Sequence, residues 1–175
     1  MYRLKVVGDA TGKRVRLIGS GTILREVEAA AEMLAADYGV QAEVWSVTSF
    51  TELAREAQDV DRWNLLNPTE ETRISYVGQC LAGDDPVIAS TDYMKAIPEQ
   101  LRASLTAPYH VLGTDGFGRS DTREQLRHFF EVDRNFVTLA ALSKLAEQQL
   151  VSEKEVAKAQ KKLGIDAAKA NPRLS

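Results

Sequence analysis

Residues 14–47 read RVRLIGSGTILREVEAAAEMLAADYGVQAEVWSV, and this stretch decides the fold class. Residues 14–19 have the composition of a short strand. Ile23, Leu24, Val27, Ala30, Ala31 and Leu34 then fall on one face at helical spacing, which predicts an amphipathic helix over about 22–37 with Gly39 as its stop. Glu43 to Val47 is a second strand, rich in β-formers. Strand, helix and strand in that order form a parallel crossover unit, so the chain reads as α/β.

The pattern extends in both directions. Upstream, residues 3–7 read as a strand, and Gly8-Asp9-Ala10-Thr11-Gly12 predicts an antiparallel hairpin joining it to 14–19. Downstream, Ser49 with Glu52 forms a capping-box pattern that starts a helix running to about Leu66, where Asn67-Pro68 ends it. Ile74, Val77 and Leu81 suggest a short helix. Pro86 to Ser90 is an apolar strand, and residues 92–105 read as a helix that Pro98 must start or kink. Tyr109 to Leu112 is the last strand. Asp121, Asp133 and Ser152 begin three further helices, the last stopping at Gly164 before a loosely ordered tail, 165–175. The expected product is three αβα layers with a mixed, roughly five-stranded sheet, the first strand antiparallel at an edge.

Composition bounds the function. The chain has 175 residues, 44% hydrophobic and 27% charged, with a net charge of −3. One domain spanning 1–175 with its own core fits these numbers. The basic stripe of a nucleic-acid binder is absent, and no apolar run approaches a membrane span. Cys80 is the single cysteine, which excludes an internal disulfide and a cysteine-based zinc site. A cytoplasmic setting is the expectation.

Few motifs carry chemistry. Gly8 to Arg14 has three residues between its glycines and Arg14 where a phosphate loop needs Ser or Thr, and it leads into a strand, so it reads as a turn. Gly19-Ser20-Gly21 lies between a strand and a helix, but Ile18 and Thr22 stand where a nucleophile elbow needs glycine. His110 and His128 have no nucleophile motif beside them, and Trp45 and Trp63 fit packing positions. The unusual segment is Gly113-Thr114-Asp115-Gly116-Phe117-Gly118-Arg119-Ser120. Its G-x-x-G-x-G order is not the dinucleotide fingerprint. An aromatic beside an arginine is the composition of an interface anchor, which makes Asp115, Phe117, Arg119, Ser120 and Asp121 the candidate contact residues.

Five blocks together carry a resemblance: 17–34 (LIGSGTILREVEAAAEML), 45–66 (WSVTSFTELAREAQDVDRWNLL), 87–102 (VIASTDYMKAIPEQLR), 111–133 (VLGTDGFGRSDTREQLRHFFEVD) and 171–175 (NPRLS). The whole chain resembles the C-terminal domain of the homodimeric, acetyl-transferring pyruvate dehydrogenase components of bacteria. The resemblance implies a transketolase C-terminal-like fold. It also implies a longer polypeptide that decarboxylates pyruvate with thiamine diphosphate and magnesium and acetylates the lipoyl group of dihydrolipoyl acetyltransferase. In that family the cofactor lies between an N-terminal and a middle domain. Its Gly-Asp-Gly signature does not occur here, because neither Gly8-Asp9 nor Gly83-Asp84 is followed by glycine. No catalytic, cofactor-binding or metal residue is therefore carried over.

The expectation is a non-catalytic structural and assembly domain separated from a larger enzyme. Its partners would be the N-terminal and middle domains of its own chain, the homodimer mate and the acetyltransferase. Two alternatives remain open. One is a small-ligand-binding domain using the loops around Ser20 and Gly113; the other is a self-contained enzyme built on His110 or His128.

Overall fold

The 14–19 segment is buried over most of its length, and such a strand needs a paired neighbour on each side. The computed structural model, which describes residues 1–10 and 12–175, gives it two. Strands β1 (Tyr2–Val7), β2 (Arg14–Gly19), β3 (Gln41–Ser46), β4 (Val87–Ser90) and β5 (Tyr109–Leu112) lie in the order β1-β3-β2-β4-β5. β2 pairs in parallel with β3 and β4, β4 in parallel with β5, and β1 antiparallel with β3.

The mixed five-stranded sheet and its antiparallel edge strand match the sequence expectation. The hairpin does not. β3 lies between β1 and β2, so those two strands do not pair, and Gly8 and Lys13 stand on either side of the start of β3. Gln41 holds both: its backbone N–H donates to the Lys13 carbonyl at 2.9 Å, and its Nε2 donates to the Gly8 carbonyl at 3.1 Å. Thr11, within the expected turn, lies outside the described residues. The physical reason for the difference is burial. β1 is exposed at most positions, with a register shift between Arg3 and Lys5, and an exposed strand carrying bulges and charges belongs at an edge.

Alternation of side chains divides the core. Val15 and Leu17 of β2 and Ile88 of β4 face one side, under α1 (Leu24–Tyr38), α6 (Arg134–Glu147) and α7 (Glu153–Lys162). Ile18, Val87, Ala89 and Val111 face the other, under α2 (Phe50–Leu66), α3 (Tyr76–Cys80) and α4 (Ala96–Glu99). Trp45 is buried in this second cluster, while Trp63 is half-buried with the Arg73 guanidinium 3.5 Å from its ring centroid. Gly39 ends α1 in the left-handed conformation expected of it, at φ 61°.

Two other expectations change. Residues 92–105 do not form one helix: they divide into α4 and a 3-10 turn, Arg102–Ser104, and Pro98 sits in the first turn of α4, where a missing N–H costs no intrahelical bond. The cap of α5 (Arg123–Phe129) is Thr122, whose hydroxyl accepts from the Gln125 N–H at 3.3 Å; Asp121 instead accepts from the Thr122 N–H. Asp133 caps α6 as expected. At α2 only the Ser49 half of the box forms, with the Glu52 carboxylate turned to Arg55.

At α7 the full box is present. The Ser152 hydroxyl accepts from the Glu155 N–H, and the Glu155 carboxylate accepts from the Ser152 N–H at 2.8 Å. Ser152→Ala removes one side of that exchange and is expected to cost about 1 kcal/mol in denaturant unfolding. No measurable change would show that α7 is held by packing alone.

Candidate functional site

The loops that follow β2, β4 and β5 meet at the C-terminal edge of the parallel strands. In open α/β sheets this is where ligands gather, beside the point where the strand order reverses. Here that point lies between β2 and β4, and the Ser20 and Thr91 hydroxyls bridge it at 2.9 Å.

The loop after β5 is laced to the loop after β4. The Thr114 N–H donates to the Tyr93 carbonyl at 2.9 Å, and the Thr114 hydroxyl donates to the Asp92 carbonyl at 2.9 Å. The Asp115 carboxylate accepts from the Lys95 N–H at 3.0 Å. This approach is close enough that a Cβ on Gly113 would stand 2.7 Å from the Tyr93 carbonyl oxygen, which explains the glycine.

Next along the loop, Gly116 has φ 113°, and its Cα faces the backbone of Pro172. The tail is therefore not loose. Pro172 and Ile165 are buried, and Lys169 Nζ donates to the Phe129 carbonyl at 2.7 Å and to the Glu131 carboxylate at 3.1 Å. Residues 165–175 return across the sheet edge and hold the loop from outside.

The structure gathers the five candidate contact residues on one loop but gives them different work. Asp115 is spent on Lys95. Arg119 lies over the Phe129 ring, 4.1 Å from its centroid. Ser120 and Asp121 are exposed, Asp121 at the start of α5. Phe117 alone projects, 81% exposed, with Tyr93 and Met94 as exposed apolar neighbours in the adjoining loop.

On the other side of the loop is a cleft of about 440 Å³. Thr22 represents the loop after β2, Asp92 the loop after β4, and Thr114, Gly116 and Gly118 the loop after β5. The Ser20 and Gly113 loops thus share one cavity. Its far side brings the loop's Arg119 together with Arg123 and Arg127 of α5; sequence reasoning passed over the last two although their four-residue spacing places them on one helical face.

Behind this wall sits Glu26, a buried carboxylate on α1. It accepts from Arg127 at 2.8 Å, from Arg134 Nε at 2.8 Å and Nη2 at 3.2 Å, and from the Arg134 N–H at 3.2 Å. Burial alone would raise its pKa, but the Arg134 hydrogen bonds and the charges of Arg134 and Arg127 outweigh it and hold the carboxyl below its ordinary value.

The two histidines have separate surroundings. Burial first, then Lys144, Lys95 and Arg102, push the His110 pKa below its ordinary value, so the ring is neutral at pH 7. His128 Nδ1 meets the Asp133 carboxylate at 3.0 Å and its ring packs on Phe136. Among the described residues no hydroxyl or thiol hydrogen-bonds to either ring. At the opposite edge of the sheet lies a groove beside Tyr38 and Lys13, where Lys162 pairs with Asp37 at 3.0 Å and the Glu155 carboxylate is held by Ser152.

A family model for the Transketolase-like TK C-terminal domain matches residues 1–133. Over 176 aligned residues the chain is 55% identical to the pyruvate dehydrogenase E1 component of Escherichia coli (strain K12), covering 100% of this chain and 20% of that protein. Identity to the corresponding proteins of Cupriavidus necator and Pseudomonas aeruginosa is 56% and 54%, each over 98% of this chain and 19% and 20% of theirs. The chain spans about a fifth of the length of the curated relatives it matches. The family match stops at Asp133, the cap of α6, whereas the match to these relatives runs on through α6, α7 and the tail.

Proposed function

The chain belongs to the transketolase-like TK C-terminal domain family, and from that premise we propose that it is the non-catalytic structural and assembly domain of a pyruvate dehydrogenase component. The observation that carries this reading is the match to pyruvate dehydrogenase E1 components along 100% of the chain, past the end of the general family match. On this reading residues 1–175 are one domain of a longer cytoplasmic enzyme. That enzyme oxidatively decarboxylates pyruvate and acetylates the lipoyl group of dihydrolipoyl acetyltransferase.

The cofactors of such an enzyme belong to its other domains. Magnesium takes near-octahedral oxygen coordination. The cleft offers one carboxylate, Asp92, in the company of arginines, a donor set that does not fit the metal. No step of the reaction is routed through this chain. Supplied with pyruvate, thiamine diphosphate and magnesium, the isolated chain is expected to release no carbon dioxide; turnover by it would overturn the reading.

What the domain supplies is surface. Exposed apolar side chains occur on β1 (Tyr2, Leu4, Val6), around the end of α2 (Leu65, Leu66, Ile74) and at the loop edge (Phe117, Tyr93, Met94). Patches of this kind mark contact with other protein. The N-terminal and middle domains, the homodimer mate and the acetyltransferase are the partners this reading supplies, with Phe117 as anchor on a loop shaped by Asp115 and Arg119 and rimmed by Ser120 and Asp121.

A side chain that projects and holds up nothing inside its own domain gives a clean test. Phe117→Ala is expected to change the stability of the isolated chain by less than about 0.5 kcal/mol. In the longer enzyme it is expected to weaken one assembly contact by about 2 kcal/mol, read by sedimentation of the dimer and by acetyltransferase binding. If dimer stability, activity and partner binding were all unchanged, the loop would lose its assigned role.

A further inference from the structure

The cleft at the C-terminal edge has a chemistry that assembly does not require. Arg127 is committed to Glu26. Arg119 stacks on Phe129, a contact made by the face of its guanidinium that leaves its N–H donors without an acceptor. Arg123 makes no hydrogen bond, ion pair or ring contact among the described residues. Both side chains line the cleft beside an apolar wall of Ile23, Leu126, Phe130 and Val132. A guanidinium presents a rigid fork of donors that matches the oxygens of a carboxylate or phosphate. Two forks without acceptors, facing apolar surface in a cavity of about 440 Å³, form a receptor for an acid with an apolar body.

The remaining polar groups narrow the ligand. The Asp92 carboxylate is unpaired and stands over Gly21, where a Cβ would lie 3.8 Å from its Oδ1. A second negative charge at that end would be repelled, whereas a hydroxyl or amino hydrogen would be accepted. Thr22 and Thr114 place hydroxyls along the same rim. We infer that this cleft binds a small organic acid, with one carboxylate or phosphate head on Arg119 and Arg123 and its apolar body against the α5 wall. The inference goes beyond the assembly reading and does not depend on it.

Amide NMR of the 175-residue chain tests it with four probes. Phenyl phosphate and benzoate carry both head and body, inorganic phosphate only the head, and benzyl alcohol only the body. At least one of the first two is expected to shift the amides of Thr22, Thr114, Gly116 and Gly118 saturably, and the tighter of them identifies the head group. Inorganic phosphate and benzyl alcohol are expected to bind at least about tenfold more weakly. Arg123→Gln is expected to weaken the tighter probe about tenfold while leaving the rest of the spectrum in place, since Arg123 supports nothing in the fold. Shifts that never saturate, inorganic phosphate binding as tightly as phenyl phosphate, or an unchanged affinity in Arg123→Gln would each overturn the site.

Discussion

Replacing Glu26 with alanine is expected to lower the unfolding free energy by about 3 kcal/mol, a large share of the 5–15 kcal/mol that holds a domain together. The Glu26 side chain is only 6% exposed, and it is the common acceptor for Arg127, Arg134 and the first backbone N–H of α6. Removing it leaves two cations facing each other across a gap. Arg134 is 49% exposed and can turn to water, but Arg127, at 22%, has less freedom, which places the cost near the lower end for a broken buried pair. Denaturant unfolding followed by tryptophan fluorescence measures it. A loss below about 1 kcal/mol would mean that both arginines rehydrate freely.

The same group sets an acid limit on stability. Its pKa is depressed in the folded chain, so its contribution is complete above the unfolded carboxyl value of about 4.3 and is lost as pH falls through the lower folded value. Glu26→Gln cannot titrate. Its acid limb is therefore expected to be shallower than that of the parent chain below about pH 4.3, with no difference in slope at neutral pH.

Gly116→Ala carries the second large effect. At φ 113° an alanine is strained whatever surrounds it, by about 1–3 kcal/mol. The added Cβ would also overlap the Pro172 carbonyl oxygen and stand 3.3 Å from the Arg173 Cα. Both neighbours are backbone, so the tail or the loop must move. The tail is expected to detach, exposing the amides of 166–175 to exchange and breaking the Lys169 hydrogen bond to Phe129. Deleting residues 171–175 separates the two causes. In the shortened chain Gly116→Ala should keep its conformational cost and lose the collision, and equal costs in both backgrounds would show that the tail does not hold the loop.

Much of the fold was legible because its periodicities are strong. The apolar stripe of α1, the run of β-formers in β3 and the caps Asp133 and Ser152 each follow from local rules, and each element stands where those rules put it. Long-range pairing follows no such rule. A glycine-bounded turn is the usual mark of a hairpin, yet β1 and β2 are kept apart by β3, because the burial of β2 on both sides outweighs the local preference for pairing with β1. Pro98 marked either a first turn or a kink in 92–105, and it stands in the first turn of α4, but where that helix stops is set by no local signal. The tail illustrates the limit most clearly. Nothing in its composition points to Gly116, and its order comes from contacts with residues far away along the chain, Phe129 and Gly116 among them.

The site was half legible. The glycine-rich loop stood out by composition, and the resemblance of five blocks gave the family. What composition could not say is that Asp115 would be spent on Lys95 and Arg119 would lay its guanidinium face on Phe129 while Phe117 projects. Nor could it unite the Ser20 and Gly113 loops with the arginines of α5 around one cleft, since that union is made by the strand order of the sheet.

The most direct test of the assembly reading is a chimera. The region of the Escherichia coli pyruvate dehydrogenase E1 component that aligns with this chain at 55% identity is replaced by residues 1–175, and a parallel chimera carries the Cupriavidus necator region. Pyruvate-dependent acetylation of lipoyl groups and sedimentation of the purified protein are then measured together. A dimeric chimera with activity comparable to the Cupriavidus control is the predicted result. A soluble, folded chimera that stays monomeric and inactive while that control assembles and turns over would contradict the account.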